Sequence, residues 1–435
     1  LTFAGPGGLP IGYLGILVDQ QTHMVLILPG RCCGDDFGHE VDGRVRSHPT
    51  NYTCRFFCHA PCPVFRFAVA GYDSGYANQF ANSRGAVLTE TYLHEHLRGS
   101  LTADDLRFSP PRISTDRLES FLLQGWGIDG ELSSLPGERD QNLRITDTNG
   151  SRYVFKIASP LEDIELVDFQ IQALLHLEAA DPTIPIPRIH RSLEGNLFEM
   201  LTTEHGAHPV RVLSWVDGVP YGELDPPSHD TVEQIGALQG RMCQAFQGFR
   251  HAGGSHFMPW DILNGLVVSK TLCKHYLRGD LAMRCAPVLA HLADYALPRM
   301  RRLPHQVIHN DAHSGNVLCD PDDPGTVTGV IDFGDLLYRP IVVDLATSLA
   351  SIMETSEAPV SASAVLVGGF AQYSDIPPGQ LELVYDALMA RAILIVQLLQ
   401  FRAENTEAGA GLVEEDIPAV RRGLERALTI DRTEF

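Results

Sequence analysis

The chain has 435 residues, 44% of them hydrophobic, and a formal net charge of -21 at pH 7. This length is enough for two or three domains that each bury a core. The excess of acidic over basic residues argues against nucleic acid and anionic membranes as principal partners, because both bind basic surfaces. We therefore expect neither a nucleic-acid partner nor a membrane partner.

Residues 1–107 carry no recognisable motif or repeat. The apolar runs at 13–18 and 24–28 are typical of strands, and clusters of Gly, Pro and Asp separate them. Cys54, Cys58 and Cys62 lie close together but lack two Cys-x-x-Cys pairs, so a zinc site is disfavoured. We predict an N-terminal extension that is poorly ordered or loosely structured and carries no catalytic group. The cysteines after it are scattered, which suggests a reducing compartment and a cytoplasmic location.

A β-hairpin is predicted over 142–157, with strands at 142–146 and 152–157 and a turn that ends in Asn-Gly. The preceding segment 135–142 contains Pro-Gly at Gly137 and suits a tight loop over phosphates. Lys156 lies on the second strand. Most strand lysines simply face solvent, but the position of Lys156 between this loop and a helix favours a cation that binds phosphate.

The helix predicted at 161–177 has apolar residues close to the 3.6-residue period. A lysine that binds phosphate requires an acidic partner on the next helix. Glu165 and Asp168 are the candidates, and because they share one face, spacing does not separate them.

Residues 210–218 are predicted to form a strand that ends in a glycine turn, the place where a hinge would contact a nucleotide base. A break at 222–227 precedes the helix at 230–246, where the larger lobe begins. Farther on, Trp260 and Asp261 combine an aromatic ring with a carboxylate, which suits an ammonium group. The alternative is a packing anchor with Asp261 as a helix cap.

The segment 307–318 contains the most specific chemistry, H-x-D-x-x-x-x-N through His309, Asp311 and Asn316, and D-F-G follows from Asp332. Phosphoryl transfer requires one carboxylate to orient and deprotonate the acceptor hydroxyl, plus an amide and a second carboxylate to hold magnesium. The first motif alone could be an ordinary polar loop. Both motifs together predict Asp311 as the base and the other two polar residues, Asn316 and Asp332, as magnesium ligands.

Helices are also predicted from 341, at 362–373, at 381–401 and at 413–428. The run 387–401 is strongly apolar, but Arg391, Gln397 and Gln400 interrupt it. It is therefore predicted to be a buried helix of the larger lobe instead of a membrane span.

The segments 135–142, 154–157, 307–318 and 329–335 resemble the aminoglycoside phosphotransferase and choline kinase-like family, and within it the hydroxylysine kinase branch. The resemblance runs from about residue 110 to the end of the chain. It implies an α+β, bilobal, protein-kinase-like fold with a small β-rich N-lobe and a larger, mostly helical C-lobe. It also implies transfer of the γ-phosphate of GTP or ATP, with Mg²⁺, to the hydroxyl of a small amino compound. Because the branch also occurs fused to class III aminotransferases, a relation to such domains is implied.

The resemblance also implies roles for individual residues. His309 and Asp344 would support the catalytic loop, and Asp168 is favoured over Glu165 as the partner of the nucleotide-binding Lys156. The loop glycine Gly137 would also bind nucleotide. The residues expected to bind the acceptor are Trp260, Asp261 and Asp335. The family's glycine between the catalytic His and Asp is Asn310 here, and asparagine tolerates left-handed backbone angles, so we expect the loop geometry to persist.

We therefore predict an extension at 1–107 and a kinase-like domain at 108–435, with lobes at about 108–222 and 223–435. The predicted activity is a magnesium-dependent kinase for 5-hydroxylysine. Alternative acceptors are an aminoglycoside, choline or homoserine, and a different class is a non-catalytic nucleotide-binding domain. The complete set of Lys156, Asp311, Asn316 and Asp332 argues against the latter. The sequence does not separate GTP from ATP.

Overall fold

The computed structural model describes residues 110–405, 416–433 and 435, and within 1–109 it describes only the backbone of short strands. The chain divides into two compact units, Leu1–Gly85 and Ala86–Phe435. The strands of the first unit pair antiparallel as β1–β2, β3–β4–β7 and β5–β6. They are β1 (Phe3–Ala4), β2 (Pro10–Ile11), β3 (Gly15–Val18), β4 (His23–Ile27), β5 (Val41–Ser47), β6 (Thr50–Phe56) and β7 (Val64–Ala68). β3 and β4 overlap the two predicted strands, whereas the prediction of poor order and the cysteine side chains lie outside the described residues.

An antiparallel sheet of six strands forms the small lobe of the second unit. Its strands are β8 (Gly130–Leu135), β9 (Gln141–Asp147), β10 (Arg152–Ile157), β11 (Ile189–His190), β12 (Glu199–Thr203) and β13 (Gly206–Ser214). The order is β11-β13-β10-β9-β8, and β12 also pairs with β13. The predicted hairpin is confirmed as β9 and β10, and its turn places Gly150 at φ +84°.

Two helices flank this sheet. Helix α1 (Thr115–Trp126) buries Leu118, Leu122 and Trp126 in the same apolar cluster as the inward residues of the strands. Helix α2 (Ile164–Ala180) begins where the Asp163 carboxylate accepts a hydrogen bond from the Glu165 N–H at 2.9 Å, an ordinary N-cap. Eight of the seventeen residues of α2 are buried. Some of them pack in the large apolar cluster of the large lobe and others in a small cluster with Ala158 next to the sheet, so α2 lies at the boundary between the sheet and the large lobe.

The large lobe is mostly helical. Its helices are α3 (His229–Ala245), α4 (Gly265–Tyr276), α5 (Gly279–His291), α6 (Leu297–Met300), α7 (Ile341–Thr355), α8 (Pro359–Ala371), α9 (Pro378–Leu381), α10 (Val384–Asn405) and α11 (Ile417–Ala427). Its strands are β14 (Val219–Pro220), β15 (Gln306–Ile308), β16 (Val317–Cys319), β17 (Val327–Val330) and β18 (Leu337–Arg339), paired as β14–β16–β17 and β15–β18. A β-rich small lobe followed by a helical large lobe confirms the predicted kinase-like fold.

Among the described residues, α10 is a helix long and apolar enough to cross a membrane, and 78% of its apolar window is buried within the protein. It packs against α4, α7 and α11. This burial agrees with the predicted core helix. A charged residue, Arg391, is nevertheless buried on it with only 2% exposure.

Candidate active site

The loop between β15 and β16 presents Asp311. Asn310 adopts φ +66°, so the expected left-handed geometry is confirmed. Its N–H donates to the Asp344 carboxylate at 2.7 Å, and the Asp311 N–H donates to Nδ1 of His309 at 3.2 Å. Burial raises the pKa of Asp344 to about 6 and lowers the pKa of His309 to about 4. Both predicted supporting residues therefore hold consecutive backbone N–H groups, those of Asn310 and Asp311.

The Asp311 carboxylate has a partner on each oxygen. Nδ2 of Asn316 donates to Oδ2 at 2.7 Å, and Nη2 of Arg391 lies 3.3 Å from Oδ1. Burial raises the pKa of Asp311 well above its usual value, Asp335 raises it further, and Arg391 opposes them. A carboxylate with a raised pKa is a stronger base, and these two contacts fix its direction. Arg391 is a functional contact that sequence reasoning treated only as an interruption of an apolar helix.

Asp332 lies at the end of β17 in a left-handed conformation, with φ +61°. Lys156 holds the pKa of Asp332 well below its usual value, so this carboxylate is ionised. The Ile331 N–H donates to the backbone oxygen of Asn316 at 2.9 Å, which ties the two predicted metal-binding segments together. Because Nδ2 of Asn316 points at Asp311, its Oδ1 is left as a ligand oxygen.

These oxygens fit a magnesium ion, which uses one or two carboxylates together with the substrate's phosphates. In the part of the chain that the structure describes, no three His, Cys, Asp or Glu side chains form an all-protein metal cage. The small polar cavity at this point is lined by six carboxylates and three cations. The carboxylates are Glu138, Asp140, Glu162, Asp311, Asp332 and Asp335, and the cations are Arg139, Lys156 and Arg211. This excess of negative charge also favours a divalent cation.

Lys156 is buried, and its acidic partner is not the predicted one. Its Nζ lies 3.4 Å from Oδ1 of Asp332 and 3.7 Å from Oδ2 of Asp140, a loop residue just before β9. Asp168 instead contacts His251 at 3.2 Å, and Glu165 is exposed. The prediction was wrong about which face of the helix points at the site. Gln170 lines the site, and Asp168 lies about 200° around the helix from it.

A second cation stands beside Lys156. The strand register pairs Lys156 with Arg211 on β13 and with Asn142 on β9, so the three side chains share one face of the sheet. Nη2 of Arg211 lies 2.6 Å from Oε1 of Gln170 and 3.3 Å from Oδ2 of Asp140. Sequence reasoning missed Arg211, because only the register, which the sequence does not specify, brings it next to Lys156.

A cavity of about 400 Å³ lies between the lobes. Its apolar part includes Val154, Leu174, Leu213 and Leu318, and its polar part includes Lys156, Asn316 and Asp332. The predicted hinge residues at 214–216 also line it. A pocket of this size with one apolar and one charged part suits a nucleotide, whose base is flat and whose phosphates are anionic.

Gly137 lies in the loop beside this cavity but is not among the residues that line it. A Cβ at Gly137 would lie 2.2 Å from the backbone oxygen of Asp140. Nδ2 of Asn142 also donates to the Pro136 oxygen at 2.9 Å and closes the turn. Gly137 therefore gives the loop its shape, and its predicted contact with the nucleotide stays a prediction.

Two of the three residues predicted to bind the acceptor amine are already paired. Asp261 has 0% exposure, and its Oδ2 lies 2.8 Å from Nη2 of Arg339, so the prediction that it binds an ammonium group is wrong. Its Oδ1 accepts from the Leu263 N–H at 3.0 Å, which stabilises the turn before α4 and does not cap the helix itself, since α4 begins at Gly265. Asp335 lines the polar cavity and forms an ion pair with Arg139, and its predicted contact with the acceptor stays a prediction.

Trp260, the third of these residues, contacts two arginines. The guanidinium carbons of Arg391 and Arg402 each lie 5.7 Å from the Trp260 ring centroid. Nη1 of Arg391 also donates to the Trp260 backbone oxygen at 2.9 Å. The ring therefore packs against cations of the protein beside Asp311.

Residues 131–376, more than half of the chain, match the model of the phosphotransferase enzyme family. The hydroxylysine kinase of Mus musculus is 23% identical over 268 residues, covering 55% of this chain and 69% of that protein. The homoserine kinase of Methylobacillus flagellatus is 28% identical over 243 residues, covering 54% and 68%. Neither relative supports the expected relation to class III aminotransferase domains.

Two solved structures share the fold. A microcompartment-associated aminopropanol kinase superposes with a TM-score of 0.57 at 15% identity, covering 73% of this chain and 98% of that one. The amicoumacin kinase hAmiN, in complex with AMP-PNP and Ca²⁺, superposes with a TM-score of 0.55 at 18% identity, covering 74% and 95%. The family match, together with an Asp311-centred site on this fold, shows that the chain belongs to the phosphotransferase enzyme family and is a small-molecule phosphotransferase with a hydroxyl acceptor.

Proposed function

We propose that the chain is a Mg²⁺-dependent kinase that phosphorylates the hydroxyl of a small amino acid, with 5-hydroxylysine as the first candidate and homoserine as the second. The observation that carries this proposal is the convergence of Asp311, Asn316, Asp332 and Lys156 at one end of the cavity between the lobes. The curated relatives support the acceptor class, because they are named for these two amino acids.

In the proposed reaction, Asp311 accepts the proton of the acceptor hydroxyl as the oxygen attacks the γ-phosphorus. The bond from the γ-phosphorus to the β–γ bridging oxygen breaks, and the nucleoside diphosphate leaves. Asn316 and Arg391 keep its two oxygens in place, so the carboxylate needs no reorientation when the hydroxyl arrives. Lys156 and Arg211 offset the negative charge of the phosphates. Magnesium, held by Asp332 and Asn316, would neutralise the charge that develops on the phosphate oxygens.

The donor is a nucleoside triphosphate, either ATP or GTP. The amicoumacin kinase structure contains AMP-PNP and Ca²⁺, which supports a nucleotide with a divalent cation at this fold's cleft. A non-catalytic nucleotide-binding role is disfavoured, because the base, both metal ligands and the lysine are all present. We also propose that residues 1–107 are an extension to the kinase-like domain at 108–435, and that the protein works in the cytoplasm.

The experiment is an acceptor panel with the purified chain, ATP or GTP, and Mg²⁺. The panel contains 5-hydroxylysine, homoserine, choline, aminopropanol and an aminoglycoside. We expect the highest kcat/KM with 5-hydroxylysine, and measurable turnover with homoserine. Turnover restricted to choline or an aminoglycoside would reject the proposed acceptor, and nucleotide binding without turnover on any acceptor would favour the non-catalytic role.

A further inference from the structure

Beside the Asp311 carboxylate, a second pair of opposite charges spans the cleft. Oε2 of Glu138, in the loop before β9, lies 3.0 Å from Nη1 of Arg402 on α10. The Glu138 side chain is 27% exposed and the Arg402 side chain 16% exposed, so the pair is largely screened from water. A charge pair with so little exposure has strong electrostatic effects on whatever lies next to it.

Arg402 and Arg391 converge on one ring. They are eleven residues apart on α10, three helical turns, which places them on the same face. Each guanidinium carbon lies 5.7 Å from the Trp260 ring centroid, so the two arginines contact the same aromatic ring. Arg391 contacts Asp311, while Arg402 contacts Glu138.

Glu138 is the remaining residue of this group. It lines the same polar cavity as Asp311, and it is close enough for its charge to raise the pKa of Asp311. Burial raises the pKa of Glu138 itself, and the charge of Arg402 opposes this rise. A partly desolvated carboxylate gains more from a new positive partner than an exposed one does.

The chemistry of this pair matches one ligand class. An α-amino acid has an ammonium and a carboxylate on the same carbon, a zwitterion with charges opposite to those of Glu138 and Arg402. Its ammonium suits Glu138, and its carboxylate suits the planar fork of Arg402, which donates two parallel hydrogen bonds. The side-chain hydroxyl would then extend along the Trp260 surface towards Asp311.

We propose that Glu138 and Arg402 form the subsite that recognises the α-amino acid head group of the acceptor, with Trp260 as its floor. This inference rests on the proposed function, because it names the group by which the acceptor is recognised. It also makes the acceptor's α-carboxylate a requirement for tight binding. Amino alcohols that lack this carboxylate are poor acceptors.

The test is calorimetric binding to the full chain saturated with AMP-PNP and Mg²⁺, with 5-hydroxylysine and its decarboxylated counterpart as the two probes. The wild-type chain should bind 5-hydroxylysine at least about tenfold more tightly, since a charged hydrogen-bonded contact is lost in the counterpart. Arg402→Gln should weaken 5-hydroxylysine binding by about ten- to a hundredfold and change binding of the counterpart by less than about threefold. Glu138→Gln should weaken both probes, because both retain the ammonium.

Two further variants separate recognition from folding. Arg241→Gln breaks a comparable ion pair with Asp181, 2.7 Å long, whose residues line neither of the two cavities, and should leave both affinities unchanged. Arg402→Lys keeps the charge but loses the planar fork, so it should fall between the wild type and Arg402→Gln. If Arg402→Gln fails to fold, Arg402→Lys is tested with the two probes instead. Its affinity should then fall for 5-hydroxylysine and not for the decarboxylated counterpart.

Equal wild-type affinity for both probes would overturn the inference, as would an equal loss of both on Arg402→Gln. The inference would also be overturned if neither of the two probes bound. If 5-hydroxylysine binds in an Arg402-dependent way but is not phosphorylated, the inference stands and the proposed function falls. If both probes are phosphorylated equally well, the kinase activity stands and the head-group subsite falls.

Discussion

On the donor side of the cleft, cations stand on neighbouring strands of one sheet, whereas on the acceptor side they converge from a single buried helix. Lys156 and Arg211 are paired in register across β10 and β13. Arg391 and Arg402 lie on one face of α10, and each guanidinium carbon lies 5.7 Å from the Trp260 ring centroid. Between the two sets lies Asp311, with Asn316 on one oxygen and Arg391 on the other.

This difference separates two kinds of requirement. In the proposed reaction, the donor side holds phosphates and a metal, which every nucleotide offers in the same geometry, and neighbouring strands inside a rigid sheet suit that constant task. The acceptor side must fit one particular alcohol, and long side chains on a helix can be exchanged without disturbing the sheet. We therefore expect changes on the donor side and at the base to affect turnover with every acceptor, and changes around Trp260 to affect acceptor choice.

The largest effect is expected at the base between the two sides. Asp311→Asn should lower kcat by at least about a hundredfold, the usual contribution of a general base, and leave the affinity for the magnesium nucleotide close to that of the wild type. Steady-state kinetics with nucleotide titrations measures both quantities. A variant that keeps more than about a tenth of wild-type turnover would remove Asp311 from this role.

The next effect concerns the metal. Asp332→Ala removes an anionic oxygen that Mg²⁺ prefers, so nucleotide affinity in Mg²⁺ should fall by at least about tenfold, and affinity in EDTA should change little. Asn316→Ala should show the same pattern in milder form. Fluorescence titration of a nucleotide analogue in the two buffers provides the comparison. An equal loss in both buffers would instead indicate a structural role.

His309 offers a test on the stability of the catalytic loop. Its pKa in the folded protein is about 4, against 6.5 in an unfolded chain, so the unfolded state binds the proton more readily between these values. The free energy of unfolding should therefore fall as the pH drops from about 6.5 to about 4. Between about pH 7 and about pH 5, the free energy of unfolding should fall by about 2 kcal/mol less in His309→Gln than in the wild type. Urea unfolding at the two pH values measures it, and an identical pH dependence in both proteins would contradict the burial argument.

A smaller effect distinguishes the two acidic residues considered as partners of Lys156. Asp140→Asn should lower kcat/KM for the nucleotide by about tenfold, because Lys156 loses a charged contact that positions it. Asp168→Asn is the matched control, since its carboxylate contacts His251 and Gln172 instead, and should change kcat/KM by less than about twofold. A larger effect at Asp168 would restore the original prediction.

The smallest effect is expected from the N-terminal extension. Every described residue of the site lies after Leu135, so deletion of residues 1–107 should leave kcat and the unfolding temperature close to those of the full chain. A second deletion that ends at Gly85, the boundary between the two compact units, controls for the choice of end point. A large fall in activity with both deletions would show that the extension is part of the working enzyme.

The parts of the site that the sequence predicted are local in the chain. Asp311, Asn316 and Asp332 lie on short loops at strand ends, where spacing and turn chemistry largely determine geometry, and the left-handed Asn310 followed from the same reasoning. These positions depend on few distant contacts. The kinase-like fold followed from them and from the resemblance of the flanking segments.

The parts that the sequence did not predict depend on distant contacts. Arg391 and Arg402 became site residues only when α10 packed against the segment around Trp260, some 130 residues earlier in the chain. Arg211 could be found only from the strand register, which pairs it with Lys156. Asp168 was chosen wrongly because the apolar pattern of the helix does not fix the direction of each polar side chain, and Asp168 contacts His251. Asp261 looked available because the sequence does not reveal that Arg339 neutralises it.

The most direct test of the central claim is to identify the product by ³¹P NMR after the chain is incubated with 5-hydroxylysine, Mg²⁺ and ATP or GTP. We predict the resonance of a phosphate ester on the side-chain hydroxyl, absent when Asp311→Asn replaces the wild type. A phosphorylated nitrogen, or inorganic phosphate alone from both proteins, would contradict an Asp311-centred transfer to the hydroxyl.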